Sequence, residues 1–158
     1  MKSVILAILA CIAIFRYVEC QAAMRAASVK GKLVCGKVPV EAWIRIYRTK
    51  ENQGPKQIID NREASDSGFF EVGGNTNGFA LNETSMAPYV KIYHKCDVPE
   101  KKKEEYRTFG FTVPSNFVTN GRIAKKTYDF GTVNLELAFP KETKDKKFVK
   151  NPEAVVPA

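Results

Sequence analysis

The fold is decided by residues 89–96, which are Tyr89-Val90-Lys91-Ile92-Tyr93-His94-Lys95-Cys96. Every second position from Val90 to Cys96 is apolar or weakly polar, whereas the positions between them alternate tyrosine and lysine. Successive side chains of an extended chain point to opposite faces. The alternation therefore predicts a β-strand with one face in the core, and it places Cys96 on that inner face.

Comparable alternations occur on both sides of this stretch, separated by Gly, Pro, Asn and Asp, and no window shows the 3.6-residue apolar period of a helix. Asp66-Ser67-Gly68 predicts a short hairpin turn in which Gly68 takes a positive φ. About seven strands are expected, which favours an all-β fold, either an antiparallel β-sandwich or a small barrel. The other alternating sets are Val29, Gly31, Leu33 and Cys35; Ala42, Ile44 and Ile46; Phe109, Phe111 and Val113; and the inward-facing Val133, Leu135 and Leu137.

The composition excludes several classes of protein. The chain has 158 residues, of which 44% are hydrophobic and 27% charged, and this excludes a disordered, collagen-like or coiled-coil chain. Its 25 Lys and Arg against 17 Asp and Glu give a net charge of +8, which suits acidic partners without identifying one. It contains no nucleic-acid-binding motif, so we expect no nucleic-acid partner.

The first 20 residues have the layout of a signal peptide. Lys2 precedes an apolar run from Val4 to Phe15, and small residues follow. A membrane anchor is the alternative, but the run is shorter than the roughly 18 residues that a spanning helix needs. We expect cleavage after Cys20, with a later site after Ala23 as an alternative, and secretion into the extracellular space.

Cleavage would leave two cysteines, Cys35 and Cys96, in a chain that enters an oxidising compartment. One disulfide between them is the economical interpretation. Both side chains are predicted to project from core-facing sides of separate strands, as a bridge requires. Two buried thiols remain the alternative.

Two further features concern the surface of the chain. Asn82-Glu83-Thr84 is an acceptor sequence for N-glycosylation, which would require an accessible loop. Residues 141–158 are rich in Lys, Glu, Asp and Pro, and this predicts a disordered polar tail.

Four segments in order carry a family resemblance: Val29-Lys30-Gly31-Lys32-Leu33-Val34-Cys35; Asp66-Ser67-Gly68-Phe69-Phe70; Pro88-Tyr89-Val90-Lys91-Ile92-Tyr93-His94-Lys95-Cys96; and Tyr128-Asp129-Phe130-Gly131-Thr132-Val133-Asn134-Leu135. Together with their surroundings, residues 28–140, they resemble the nematode transthyretin-like family. The resemblance implies a secreted transthyretin-like (immunoglobulin-like) antiparallel β-sandwich that acts outside cells without a defined ligand. Many members carry a further cysteine near an arginine soon after the His-x-Cys motif. This chain has Glu105-Tyr106-Arg107 there, so we expect no second disulfide and a less tethered segment from 97 to 107.

The residues do not predict an enzyme, a metal site or a cofactor. His94 is the only histidine, and a zinc site needs three or four ligands. A disulfide would remove the thiolate that cysteine catalysis needs. Hydroxyisourate hydrolases resemble this fold but use several histidines and a Tyr-Arg-Gly-Ser ending, which this chain lacks. We therefore expect His94 to be a structural residue that makes hydrogen bonds within the domain.

The densest basic cluster consists of Lys101, Lys102, Lys103, Tyr106 and Arg107. It could attract anionic lipid headgroups or an acidic protein surface, and a solvated loop diluted by neighbouring glutamates is the alternative. The leading hypothesis is a secreted, non-enzymatic binding or adaptor module for an extracellular lipid or cell-surface protein. An anionic membrane surface is a further candidate partner. The alternative is a secreted structural or host-modulating protein held in extracellular matrix. The sequence does not predict the oligomeric state.

Overall fold

The computed structural model describes residues 24–80, 83 and 85–152, and they form a sandwich of two five-stranded sheets. No α-helix occurs in these ranges, and three short 3-10 segments lie in the loops, at Pro55–Gln57, Glu100–Lys102 and Ser115–Phe117. The strands are β1 (Arg25–Cys35), β2 (Val38–Pro39), β3 (Ala42–Tyr47), β4 (Ile58–Glu63), β5 (Phe69–Asn75), β6 (Tyr89–His94), β7 (Tyr106–Thr112), β8 (Thr119–Asn120), β9 (Thr127–Asn134) and β10 (Thr143–Asp145).

The first sheet is built around β1, which pairs with β2, β5, β8 and β9. Three of these pairs are antiparallel, and the pair between β1 and β9 is parallel. The inward side chains of β1 alternate as expected, since Val29 and Leu33 are buried while Lys30 is exposed. The first sheet therefore places Cys35 at the end of its central strand.

The second sheet has the order β10-β7-β6-β3-β4, and all of its pairs are antiparallel. Its strand β6 is the segment that opened the sequence analysis, and it lies between β3 and β7. Val90 and Ile92 point into the core, whereas Tyr93 points to the outer face, where it pairs with Trp43 of β3. The all-β sandwich is thus confirmed, with seven longer strands and three of two or three residues.

The core lies between the two sheets and is formed by apolar side chains that both contribute. Its fully buried members include Val29, Leu33, Ile44, Ile92 and Leu135. Burying side chains of this size stabilises a fold by about 1.5 to 3 kcal/mol each. Burial of these side chains is therefore a large favourable contribution to folding.

Three sequence expectations differ from this structure. The turn at Gly68 forms, but the strands on either side do not make a hairpin, because β4 pairs with β3 and β5 pairs with β1. Strand β9 ends at Asn134, so Leu137 is 61% exposed instead of inward-facing.

The third difference concerns the predicted disordered tail, which is wrong for residues 143–150. Residues Thr143–Asp145 form β10 on the edge strand β7, and the ring of Phe148 packs on the outer face of the second sheet. The prediction failed because it rested on the Lys and Glu content of the segment, which does not show that one aromatic side chain, Phe148, packs on the sandwich. Residues 153–158 lie outside the described residues, as do residues 1–20 with the predicted signal peptide.

No helix among the described residues is long and apolar enough to span a lipid bilayer.

Gly68 allows the chain to cross from one sheet to the other, and we expect Gly68→Ala to lower the free energy of unfolding by about 2 kcal/mol or more. Its φ is +81°, and an added Cβ would lie 2.2 Å from the carbonyl oxygen of Leu33. Gly121→Ala is the control, because Gly121 also has a positive φ but has no heavy atom within 4 Å of an added Cβ. Equal losses in the two variants, measured by denaturant unfolding, would contradict a role for the close approach to Leu33.

Candidate functional site

The Cys35–Cys96 disulfide joins the two sheets at one end of the sandwich. The two Cα atoms are 5.6 Å apart, and Cys96 is 2% exposed. Cys35 ends β1 of the first sheet, and Cys96 follows β6 of the second. The expected bridge is therefore present, and it lies next to the segment from 97 to 107 that carries the basic cluster.

His94 lies in the core beside this bridge and is fully buried. Its ring packs edge-on against Phe109, with ring centroids 6.1 Å apart. Neither ring nitrogen has a hydrogen-bond partner among the described residues. Burial, with a smaller contribution from the nearby Arg107, lowers the pKa of His94 from 6.5 to about 4, against the opposing charges of Glu142 and Asp97. His94 is therefore a structural residue, as expected, but the predicted hydrogen bonds are wrong. At pH 7 it is a neutral side chain in the core.

The side chain of Arg107 is only 14% exposed, and its guanidinium is engaged within the domain. It forms an ion pair with Glu142, and it donates hydrogen bonds to the carbonyl oxygens of Cys96 at 3.1 Å and Leu135 at 3.2 Å. Burial would raise the pKa of Glu142, but hydrogen bonds from Arg107 and from the Phe139 amide outweigh it and lower that pKa. Arg107 thus tethers the segment that was expected to be loose.

Tyr106 is also removed from the predicted site, because it is only 6% exposed. Its ring lies in an aromatic cluster on the outer face of the second sheet, together with Trp43, Tyr93 and Phe148. The Nζ atom of Lys95 lies 4.7 Å from the centroid of the Tyr106 ring. Sequence reasoning missed this cluster. The local signals for it were the tyrosine–lysine alternation on the outer side of β6 and the set Trp43, Arg45 and Tyr47 on the outer side of β3.

The three lysines of the predicted cluster are exposed, in and after the 3-10 segment at Glu100–Lys102. Lys103 is paired with Glu100. Lys102 lines a cavity of about 180 Å³ together with Arg107 and with Lys144 of β10. The structure therefore brings Lys102 together with Lys144, which belongs to a strand that the sequence assigned to the tail.

Lys146 continues the same surface, with its Nζ atom 3.2 Å from the carboxylate of Glu105. We call Lys101, Lys102, Lys103, Lys144 and Lys146 the basic end. Within the described residues, no carboxylate lies within ion-pair distance of Lys101, Lys102 or Lys144. Their charge is available to a ligand.

Asn82 of the predicted glycosylation sequence lies outside the described residues, but Glu83 next to it is described. Its carboxylate accepts hydrogen bonds from Arg48 Nη2 at 3.0 Å and from Gln57 Nε2 at 3.1 Å. Arg48 and Gln57 are themselves buried. Glu83, the middle residue of the predicted glycosylation sequence, is therefore held to the sandwich by these hydrogen bonds.

One group of metal-ligand side chains comes together among the described residues, and it consists of Cys35, Cys96 and Asp97. Both sulfurs are held in the disulfide and are not the thiolates that bind metals. The exposed carboxylate of Asp97 is the remaining ligand of this group, and a single carboxylate does not make a metal site.

The two sheets and the disulfide between them define a disulfide-bonded β-sandwich. A family model described as "TTR-52: Transthyretin-like family" matches residues 30–114. Transthyretin-like protein 46 of Caenorhabditis elegans is 38% identical over 128 residues, which cover 78% of this chain and 68% of that protein. Transthyretin-like protein 2 of the same organism is 30% identical over 123 residues, covering 76% of this chain and 81% of its own. The chain belongs to the transthyretin-like family, as the sequence resemblance indicated.

Proposed function

We propose that this chain is a secreted, non-enzymatic binding module whose basic end binds anionic lipid headgroups at a membrane surface. The observation that carries the proposal is that Lys102 and Lys144, from different segments of the chain, line one cavity, and that Lys146 is paired with Glu105 of the same cavity. A basic residue near an anionic membrane contributes about 1 kcal/mol to binding. Several at one end of a rigid sandwich therefore suffice for reversible attachment.

The remaining chemistry supports a binding role over an enzymatic one. His94 is fully buried, and Cys35 and Cys96 are bonded to each other. A general base must reach the proton that it abstracts, and a nucleophilic cysteine must be a thiolate. The disulfide also supports secretion, since such bonds persist in oxidising compartments. Attachment to matrix through a loose tail gains no support, because residues 143–150 pack on the sandwich.

Replacing Lys101, Lys102 and Lys103 by glutamate is expected to weaken binding to liposomes that contain phosphatidylserine by about 100-fold or more. Binding of the unmodified chain should also fall as salt rises, because the attraction is screened. Sedimentation of the full chain with liposomes, with and without the anionic lipid, measures both effects.

Replacing Lys50, Lys125 and Lys126 by glutamate gives a control with the same change in net charge. These lysines are exposed and lie in loops at the other end of the sandwich. Equal losses of binding in the two triple variants would mean that net charge alone drives attachment, and would contradict the assignment to the basic end.

A further inference from the structure

The outer face of the second sheet holds an aromatic side chain from the far end of the chain. The ring of Phe148 lies with its centroid 4.4 Å from that of Tyr93 and 4.4 Å from that of Tyr106. The guanidinium carbon of Arg45 is 4.4 Å from the centroid of the same ring. The Trp43 ring lies farther away, with its centroid 6.4 Å from that of Phe148. Three aromatic rings and one cation thus contact Phe148, and such contacts are favourable.

The backbone beyond Phe148 is also recognised. Arg45 donates a hydrogen bond to the carbonyl oxygen of Val149, and Asn61 Nδ2 donates one to that of Lys150 at 2.8 Å. Lys150 Nζ lies 3.1 Å from the carboxylate of Glu41. It also lies 5.6 Å from the centroid of the Trp43 ring. The groove therefore contacts three features of the segment: an aromatic side chain, the two backbone carbonyls that follow it, and a basic side chain two positions after the aromatic residue.

The residues that make these contacts are held by the sheet. Trp43 and Arg45 lie two positions apart on β3 and therefore share one face of that strand. Tyr93 of β6 pairs with Trp43, and the Tyr93 hydroxyl lies 3.1 Å from that of Tyr47. Burial and this hydroxyl contact raise the pKa of Tyr93, so its ring is uncharged at all ordinary pH values. We call Trp43, Arg45, Asn61, Tyr93 and Tyr106 the aromatic groove. It is formed by side chains of four strands, β3, β4, β6 and β7.

The resident segment fits this groove incompletely. Trp43 Nε1 is buried, yet it has no hydrogen-bond acceptor among the described residues. Val149 is 60% exposed, and Lys146, Lys147 and Lys150 are exposed as well. A buried donor without an acceptor costs roughly 1 to 3 kcal/mol. A peptide that offered an acceptor to Trp43 would bind more tightly than the resident segment does.

We propose that the aromatic groove is a binding site for an extended segment of a partner protein, with an aromatic residue followed two positions later by a basic one, and that residues 148–150 occupy it in cis. This site lies on a sheet face, and it is separate from the basic end that carries the proposed lipid binding. Because the resident segment is tethered, it competes at an effective concentration in the millimolar range. A partner segment therefore gains access when the resident contacts are weakened.

The test uses the full chain with its resident contacts removed, Phe148→Ser together with Lys150→Glu. The probe is a fluorescein-labelled peptide with the sequence of residues 145–152, and its anisotropy reports binding. We expect this variant to bind the peptide at least about 10-fold more tightly than the unmodified chain, whose groove is occupied. Trp43, the only tryptophan, should report the same event as a change in intrinsic fluorescence.

Two controls test whether the peptide binds through the contacts of the aromatic groove. A peptide in which serine replaces the phenylalanine keeps the charge but should not bind. Adding Asn61→Leu to the vacated chain removes the contact with the carbonyl of Lys150 and should weaken binding of the original peptide by about 5-fold to 10-fold. The melting temperature of each variant, measured by circular dichroism, establishes that the variants fold.

Three results would overturn the proposal. One is equal affinity of the vacated and unmodified chains for the peptide. Another is equal binding of the serine peptide. The third is a dimer of the unmodified chain that dissociates on Phe148→Ser, since this would identify a second copy as the occupant. If Phe148→Ser with Lys150→Glu does not fold, Lys150→Glu alone, which keeps the ring and breaks the contact with Glu41, should give a smaller gain in the same direction.

Discussion

Replacing Cys35 and Cys96 together by alanine is expected to lower the free energy of unfolding by about 4 kcal/mol. The bridge spans a sequence separation of 61 residues, and it restricts the unfolded chain by closing a loop of that length. It also ties β1 of one sheet to the end of β6 in the other. Since domains of this kind are stable by only about 5 to 15 kcal/mol, the loss is a large fraction of the total.

Guanidinium unfolding, followed by circular dichroism, measures this loss. Alanine is chosen because serine at position 96, which is 2% exposed, would bury a hydroxyl. Adding a reductant should destabilise the unmodified chain by a similar amount and leave the double variant unchanged. If both cysteines of the folded, unreduced chain react with an alkylating agent without denaturant, the structural role assigned to the bridge is wrong.

Lowering the pH from 7 to 4 is expected to remove about 3 kcal/mol of stability through His94 alone. The pKa of His94 is about 4 in the folded chain and 6.5 when unperturbed. Between these values the unfolded chain binds a proton that the folded chain does not, so protons favour unfolding. The contribution is therefore complete above pH 6.5, falls between pH 6.5 and 4, and is constant below pH 4.

His94→Leu isolates this effect, because leucine has a similar volume and no polar atom. Both ring nitrogens of His94 are buried without a partner among the described residues, so the variant should be at least as stable as the unmodified chain at pH 7. The difference between the two pH profiles of unfolding free energy is then the histidine contribution. Parallel profiles between pH 4 and 7 would show that His94 does not titrate as its burial requires.

The strands were predictable because their signal is local. Alternation along β1 and β6 shows which side chains face the core, and it requires only that the chain be extended. Cys35 and Cys96 could be paired for the same reason, since each was predicted on an inner face and cleavage of the predicted signal peptide would leave no other cysteine. The parallel pairing of β1 with β9, by contrast, has no counterpart in any local pattern.

The predicted binding cluster was only partly correct because neighbours in sequence need not share a surface. Lys101, Lys102 and Lys103 are exposed. Tyr106 and Arg107 begin strand β7, where Tyr106 packs in an aromatic cluster and Arg107 contacts Glu142 and backbone carbonyls. A count of basic residues in a window cannot separate a solvated lysine from an arginine with several internal acceptors. Only the positions of its acceptors, up to 35 residues away in sequence, assign Arg107 its role.

The sequence by itself determined the all-β class, the inner faces of β1 and β6, the Cys35–Cys96 disulfide and the family. Only the tertiary structure decided that the basic end includes Lys144 and Lys146, and that Phe148 lies in the aromatic groove. The physical reason is the range of the contacts, since Arg45 and Val149 are 104 residues apart. The tendency of a side chain to be buried depends on its residue type, which the sequence shows directly. The surface on which Phe148 packs exists only after β3, β6 and β7 have come together.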